Sequence, residues 1–412
     1  MSEKEPPVNW KKNLLFIWLS QFLAMAGYSS ALPFIPIYMR DTWGIHSESE
    51  LGAWVATFNF FGLLSFCVFT PIWGALSDCF GRKLMLLRAC YVDALLFPCM
   101  LLAPSPFWLV VVRFIVSIFT GTVAAAQTLI VTNTPEEHHG FALGTLASAF
   151  WSGNLAGFSI GGFVVHYCGF TTAFLGCGSL YLLGGLMTHL FVHENFQRPA
   201  ASKKVGFFKS VQGLSIVIWL LLFLIVFTAI ARRFDDPYVA LMIERIHGPA
   251  DTAFHTGWIN ALVSLGGVLS GILFGKLVDL FSPRSVAVPA TLLAGVTMLM
   301  QGWAMTLTGY VTWRFANYLV AGGLETVFLA MMSKASPTER RGTVLGISSS
   351  LRTAGLLIGA PASGVVVYYM GVREVYLVSG ILLFLAVPIL LLTLHYLKHH
   401  QVEEPHEISG AG

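Results

Sequence analysis

Gly74-Ala75-Leu76-Ser77-Asp78-Cys79-Phe80-Gly81-Arg82-Lys83 is a short polar turn between two long apolar runs, and the chain writes it twice. The second copy is worn: Gly275-Lys276-Leu277-Val278-Asp279-Leu280-Phe281-Ser282-Pro283-Arg284, 201 residues further on. Arg113-Phe114 returns at the same interval as Arg314-Phe315, and Gly121 returns as Gly322. Pro135, Glu137, Gly140, Leu143 and Gly144 return one residue later, as Pro337, Glu339, Gly342, Leu345 and Gly346. One half-protein is duplicated, and both copies run in the same sense.

The solvent for most of this chain is lipid. Of its 412 residues, 56% are hydrophobic and only 11% charged, with a mean hydropathy of +0.72. Soluble domains carry about 25% charge. A helix needs roughly 20 apolar residues to cross the bilayer core. Twelve runs qualify, at about 14–39, 52–76, 84–103, 107–131, 141–166, 171–192, 214–242, 253–277, 285–305, 309–334, 343–369 and 373–397. They lack the alternation of a barrel strand, and backbone groups cannot stay unpaired in hydrocarbon, so the spans must be helices. The expected fold is an all-α integral membrane protein of twelve helices in two parallel six-helix repeats. A bundle at 1–192, a linker at 193–213, a second bundle at 214–398 and a tail at 399–412 are its expected parts.

Charge sets the expected orientation. One set of helix ends carries Lys4, Lys11, Lys12, Arg82, Lys83, Arg88, Arg198, Lys203, Lys204, Lys209, Lys276, Arg284, Lys334, Arg340, Arg341 and Lys398. The other carries only Arg40, Arg245 and Arg373. The positive-inside rule then puts both termini in the cytoplasm. The polar N-terminus precedes an apolar run too long for a signal peptide, which is read as a retained first span. Six cysteines, all in the first half and without metal-type spacing, read as small buried hydrophobes. Parallel repeats related by an axis along the membrane normal are a transporter plan, with the site near the midplane between them.

Gly74-x-Leu76-x-Asp78-x-x-Gly81-Arg82-Lys83 resembles the signature loop of the major facilitator superfamily, although Cys79 stands where that family usually has Arg or Lys. Within it the chain most resembles the twelve-helix drug–proton antiporter branch and its bacterial multidrug-resistance group, which implies a place in the cell (inner) membrane. Pro33-x-x-Pro36, Arg113, the fifth-span glycines and Leu351-Arg352-Thr353-Ala354-Gly355 carry that resemblance. It implies that Gly74, Asp78, Gly81, Arg82, Lys83 and Asp279 belong to a latch stabilising the outward-open state; a charged turn that merely obeys topology is the alternative. It also implies that Arg113 takes part in proton coupling. An always-charged arginine releases no proton, so its expected role is to bias a nearby carboxylate.

Charges inside a membrane are costly and therefore functional candidates. Glu325 and Asp93 are the expected proton carriers, and Arg352 is expected either to pair with Asp78 or a cavity acid or to reach outward. Arg314 is a further intramembrane charge. Arg232, Arg233, Asp235 and Asp236 precede Pro237, and the spacing predicts that Arg232 and Asp236 share a helix face. That cluster is expected either as an outer gate or as an ordinary helix end among headgroups. Gly153, Gly157, Gly161 and Gly162 offer small faces for helix contact. Phe158 stands where the antiporter pattern has Pro, so that marker is incomplete. Tyr28, Asn59, Gln127, Trp151, Asn154, Asn260, Asn317 and Phe328 are the expected cavity wall, and lipophilic cations would suit aromatics plus a carboxylate.

These features point to a proton-coupled secondary transporter exporting drugs or other small lipophilic molecules by alternating access. An importer or exporter of a sugar, amino acid or organic acid is the alternative within the same fold. No catalytic cluster or nucleotide-binding motif is present, so neither an enzyme nor ATP as driver is expected. Small-molecule substrate, protons and the lipid bilayer are the expected partners, without cofactor, metal or nucleic acid, and the chain is expected to act as a monomer.

Overall fold

The computed structural model describes residues 9–135, 138–194, 196, 215–336 and 341–400. The rest of the linker, the turns at 136–137 and 337–340 and the tail lie outside the described residues, as do the side chains of Asp78, Asp279 and Glu325.

Among the described residues, twelve helical spans run in order. In the first half, α1 is Trp10–Trp43, α2 is Glu48–Phe80, α3 is Arg82–Leu102 and α4 is Pro106–Asn133. The continuous stretch His139–Phe191 holds α5 and α6, divided at Gly169, whose φ of 79° no helix contains. In the second half, α7 is Ile216–His247, α8 is Thr252–Leu280 and α9 is Pro283–Trp303. Leu307–Ala321 and Leu324–Ala335 together make α10, followed by α11 at Arg341–Tyr369 and α12 at Val372–His400. No strand occurs among the described residues.

The breaks inside helices obey the repeat. Pro33 and Pro36 remove backbone donors, and α1 tightens to a 3-10 turn at Leu32–Phe34. Pro237 does the same to α7, at Asp236–Tyr238. α4 breaks at Gly121, with φ 135°, and α10 breaks at its counterpart Gly322. The α1 and α7 kinks put irregular backbone at the chamber between the halves, whereas the break at Gly322 packs against α8 of its own half.

Glycines report where helices touch. A Cβ on Gly153 would sit 2.7 Å from the Phe22 carbonyl, and one on Gly161 would sit 2.6 Å from the Ser30 carbonyl. Gly157 meets Ala26 in the same way, so these three glycines seat α5 on α1. Gly162 instead faces the other half, 2.7 Å by the same measure from the Gly257 Cα of α8. Across α2 and α11, Gly52 abuts Val367 and Gly364 abuts Ala56. All these contacts between halves lie toward the helix ends remote from the signature loop. Nearer the loop, Gly74, Gly144 and Gly271 have no neighbour within 4 Å of a would-be Cβ.

Candidate functional site: a charged cavity between the repeats

Ion pairs and hydrogen bonds close the remote end. Arg40, at the end of α1, lies 2.5 Å from Glu244 at the end of α7. Arg245 reciprocates, 3.1 Å from Glu48 at the start of α2. Glu48 also accepts the backbone N–H of Val372 at 2.6 Å. The Tyr238 hydroxyl donates to the Gly52 carbonyl at 3.3 Å, and His166 lies 3.5 Å from Asp251. Arg373, the third basic residue at this end, donates to the Ala304 carbonyl. So the few arginines on this side are engaged in local structure, and two of them pair across the halves.

Beneath that seal lies a cavity of about 320 Å³. Both repeats line it, through Tyr28, Asn59, Arg113, Trp151 and Asn154 from the first and Arg233, Asp236, Asn260 and Arg314 from the second. A recess of about 220 Å³ between α2, α7 and α11 adjoins it at Asn59, Arg233 and Asp236, and adds Arg232 and Arg352.

A buried network organises the second-half wall. Arg314 of α10 is 1% exposed, with its Nη1 2.5 Å from Asp235 Oδ2 and 3.3 Å from Gln301 Oε1. Its Nη2 lies 3.6 Å from Asp236 Oδ1. Asp236 also accepts from the Tyr318 hydroxyl at 2.9 Å and pairs with Arg233 at 2.8 Å. The network ties α7 to α9 and α10. The expected Arg232–Asp236 pair gives way to Arg233–Asp236. The α-helix stops at Arg233 and the chain tightens into the 3-10 turn, so residues three apart meet. The cluster therefore sits at the cavity, with Asp235 1% exposed, and not among headgroups.

Arg113 is the repeat counterpart of Arg314 but is held differently. It is 8% exposed and packs against Gly62, with its guanidinium 5.3 Å from the Phe58 ring centroid. Among the described residues its one hydrogen bond is long, 3.5 Å to the Tyr28 hydroxyl, and its Nε is buried against Gly62 without a partner. Asp93 of α3 is fully buried and accepts from the Thr120 hydroxyl at 3.0 and 3.2 Å, at the break in α4.

Three residues expected on the wall lie elsewhere. Gln127 is exposed on α4 and does not line the cavity. Phe328 is 1% exposed, inside the hydrophobic core. Asn317 is buried and donates to the Ala294 carbonyl and the Thr297 hydroxyl, both at 3.0 Å, pinning α10 to α9. On a span buried all round, apolar pattern alone does not reveal which face looks inward.

The signature loop is held from within its own half. Gly81 adopts φ 98°, open to glycine and to few other residues, and turns the chain from α2 into α3. The Glu194 carboxylate, beyond α6, accepts the N–H groups of Arg82 at 3.0 Å and Lys83 at 2.7 Å. Lys83 Nζ donates to the His189 carbonyl at 3.0 Å. A carboxylate on the first amides of a helix satisfies orphan donors and meets the positive end of its dipole. Glu194 was legible only as part of a polar linker. Gly74 has no close neighbour, and the Asp78 and Asp279 side chains are outside the described residues.

A family model described as Major Facilitator Superfamily matches residues 17–253 and 221–410. The chain belongs to the major facilitator superfamily. It is 28% identical over 395 residues to the multi-drug resistance efflux pump PmrA homolog of Lactococcus lactis, covering 95% of this chain and 96% of that one. It is 29% identical over 390 residues to the multidrug resistance protein MdtG of Escherichia coli, covering 93% and 95%. A solved bacterial homolog of the lysosomal transporter Spinster, at 15% identity, superposes with a TM-score of 0.74 over 95% of this chain and 98% of that one. This is thus an integral membrane transporter of the major facilitator fold, and not an enzyme.

Proposed function

We propose that the chain is a proton-coupled exporter of drug-like molecules working by alternating access. The observation that carries this reading is the cavity itself: one chamber walled by both repeats, closed at the remote end by ion pairs, with ionised groups inside. The relatives named as multidrug pumps support export over nearly the full chain. The bias of lysine and arginine toward the signature-loop ends makes that side cytoplasmic, so the sealed state is the inward-facing one. Breaking the Arg40–Glu244 and Arg245–Glu48 pairs while the loop ends close would expose the same chamber outward.

Among the described carboxylates, Asp236 lines the chamber and Asp235 supports it through Arg314, so this pair is the proton-handling unit we favour. Asp93 is sealed behind α4, and Glu325 is placed on α10 by its backbone alone. The test uses inside-out vesicles with an acidified lumen and a pH-sensitive dye. Compounds that are exported should dissipate the gradient, and Asp236→Asn should abolish the response. A full response in that variant and its loss in Glu325→Gln would transfer the role to Glu325; no response to any compound in the wild type would overturn proton-coupled export.

A further inference from the structure

The chamber's charge bears on what it carries, granted the export reading above. Arg113, Arg233 and Arg314 line the main cavity, and Arg232 and Arg352 line its recess. Asp236 is the carboxylate on the walls among the described residues, with Asp235 behind it. Asp93 and Glu325, the other carboxylates near mid-span, bring the acids to four against five arginines. A cavity with low-dielectric walls and an excess of one sign concentrates ligands of the other sign.

The two repeat-related arginines divide the work. Arg314 is neutralised by Asp235 and Asp236. Arg113 has no carboxylate within ion-pair distance among the described residues, one long hydrogen bond and a buried Nε without an acceptor. A guanidinium at a low-dielectric wall with no carboxylate in contact is poorly compensated, and an arriving anion relieves that cost. Its planar fork suits a carboxylate, which can accept two parallel N–H bonds. Around it, Tyr28, Phe58, Trp151 and Phe158 supply apolar and aromatic walls. We propose that the transported molecules are organic anions or zwitterions, an aromatic body bearing a carboxylate, and that Arg113 receives that carboxylate. The proposed sign is opposite to that of the lipophilic cations which aromatics plus a carboxylate would suit.

The test is equilibrium binding to the purified full chain in a non-ionic detergent, which needs no proton gradient and so is independent of coupling. Three matched probes share one naphthalene body: the carboxylate, its methyl ester and the trimethylammonium analogue. The carboxylate should bind at least about tenfold more tightly than the ester, as a charge-assisted pair implies, and the cation most weakly. Arg113→Gln should reduce the carboxylate-to-ester ratio to near one, while Arg113→Lys, which keeps the charge, should retain part of it. Ester binding that survives in Arg113→Gln shows that this variant is folded. Equal binding of all three probes, preference for the cation, no binding of any, or a preference unchanged in Arg113→Gln overturns the proposal. Vesicles that failed to show proton exchange would leave a measured carboxylate preference standing.

Discussion

Replacing Asp235 with asparagine tests whether the Arg314 network holds the second half together. Both side chains are essentially removed from solvent, and their closest atoms are 2.5 Å apart. Removing one partner of a buried pair strands the other charge, typically at about 3–5 kcal/mol. Arg314 would keep Gln301 at 3.3 Å and Asp236 at 3.6 Å. The expected loss is therefore at the lower end, about 3 kcal/mol. For a cooperative unit the size of one half, 1 kcal/mol moves the midpoint by about 2–4 °C, so the shift should be roughly 6–12 °C. The assay is thermal unfolding of the purified protein in detergent, read by intrinsic fluorescence, within a double-mutant cycle using Arg314→Gln. Coupling of about 1–3 kcal/mol between the sites is expected. A coupling below about 0.5 kcal/mol, the additivity seen at independent sites, would mean that Asp235 and Arg314 do not stabilise each other.

Three further outcomes follow from the same contacts. Gly162→Leu places a side chain against the Gly257 backbone and should hold the remote end open; a cysteine at position 260 in a cysteine-free background should then label faster from that side, and an unchanged rate would contradict the seal. Arg245→Ala should alter labelling little, because both partners are about two-fifths exposed and such pairs contribute about 0–1 kcal/mol; a large increase would mean that this pair dominates the seal. Glu194→Gln weakens the cap on α3 by about 1 kcal/mol, so amide exchange at Arg82 and Lys83 should accelerate roughly fivefold, and unchanged protection would show that the cap is incidental.

The repeat and the twelve spans were readable because bilayer thickness fixes run length and the duplication preserved turn residues such as Gly81, Gly121 and Gly322. Among the described residues, nine stretches are long and apolar enough to cross on those grounds alone, one of them the double span Phe141–Phe191. Side-chain partners across the fold were much less readable. Asp235 and Arg314 are 79 residues apart, and nothing local marks them as a pair. The repeat did carry one usable signal: Arg314 is the mate of Arg113, and a counterpart to a suspected functional arginine merited equal weight. Helix rotation was the other blind spot. Trp151 and Asn154 face the cavity while Gln127 and Phe328 do not, and all four lie in runs with little polar contrast to distinguish one face from another. The Arg40–Glu244 and Arg245–Glu48 pairs were hidden for a simpler reason. Charges near helix ends serve topology in every membrane protein, and only tertiary structure shows which of them also join two halves.

Reconstitution tests the central claim most directly. Liposomes containing only this purified chain, inserted with the signature-loop ends outward and with the lumen made acidic, would be given the naphthalene carboxylate. Proton-coupled export predicts accumulation inside against its concentration gradient, without ATP, and collapse of that accumulation when a protonophore dissipates the pH difference. Accumulation indifferent to the protonophore, or no accumulation at any imposed gradient, would contradict it.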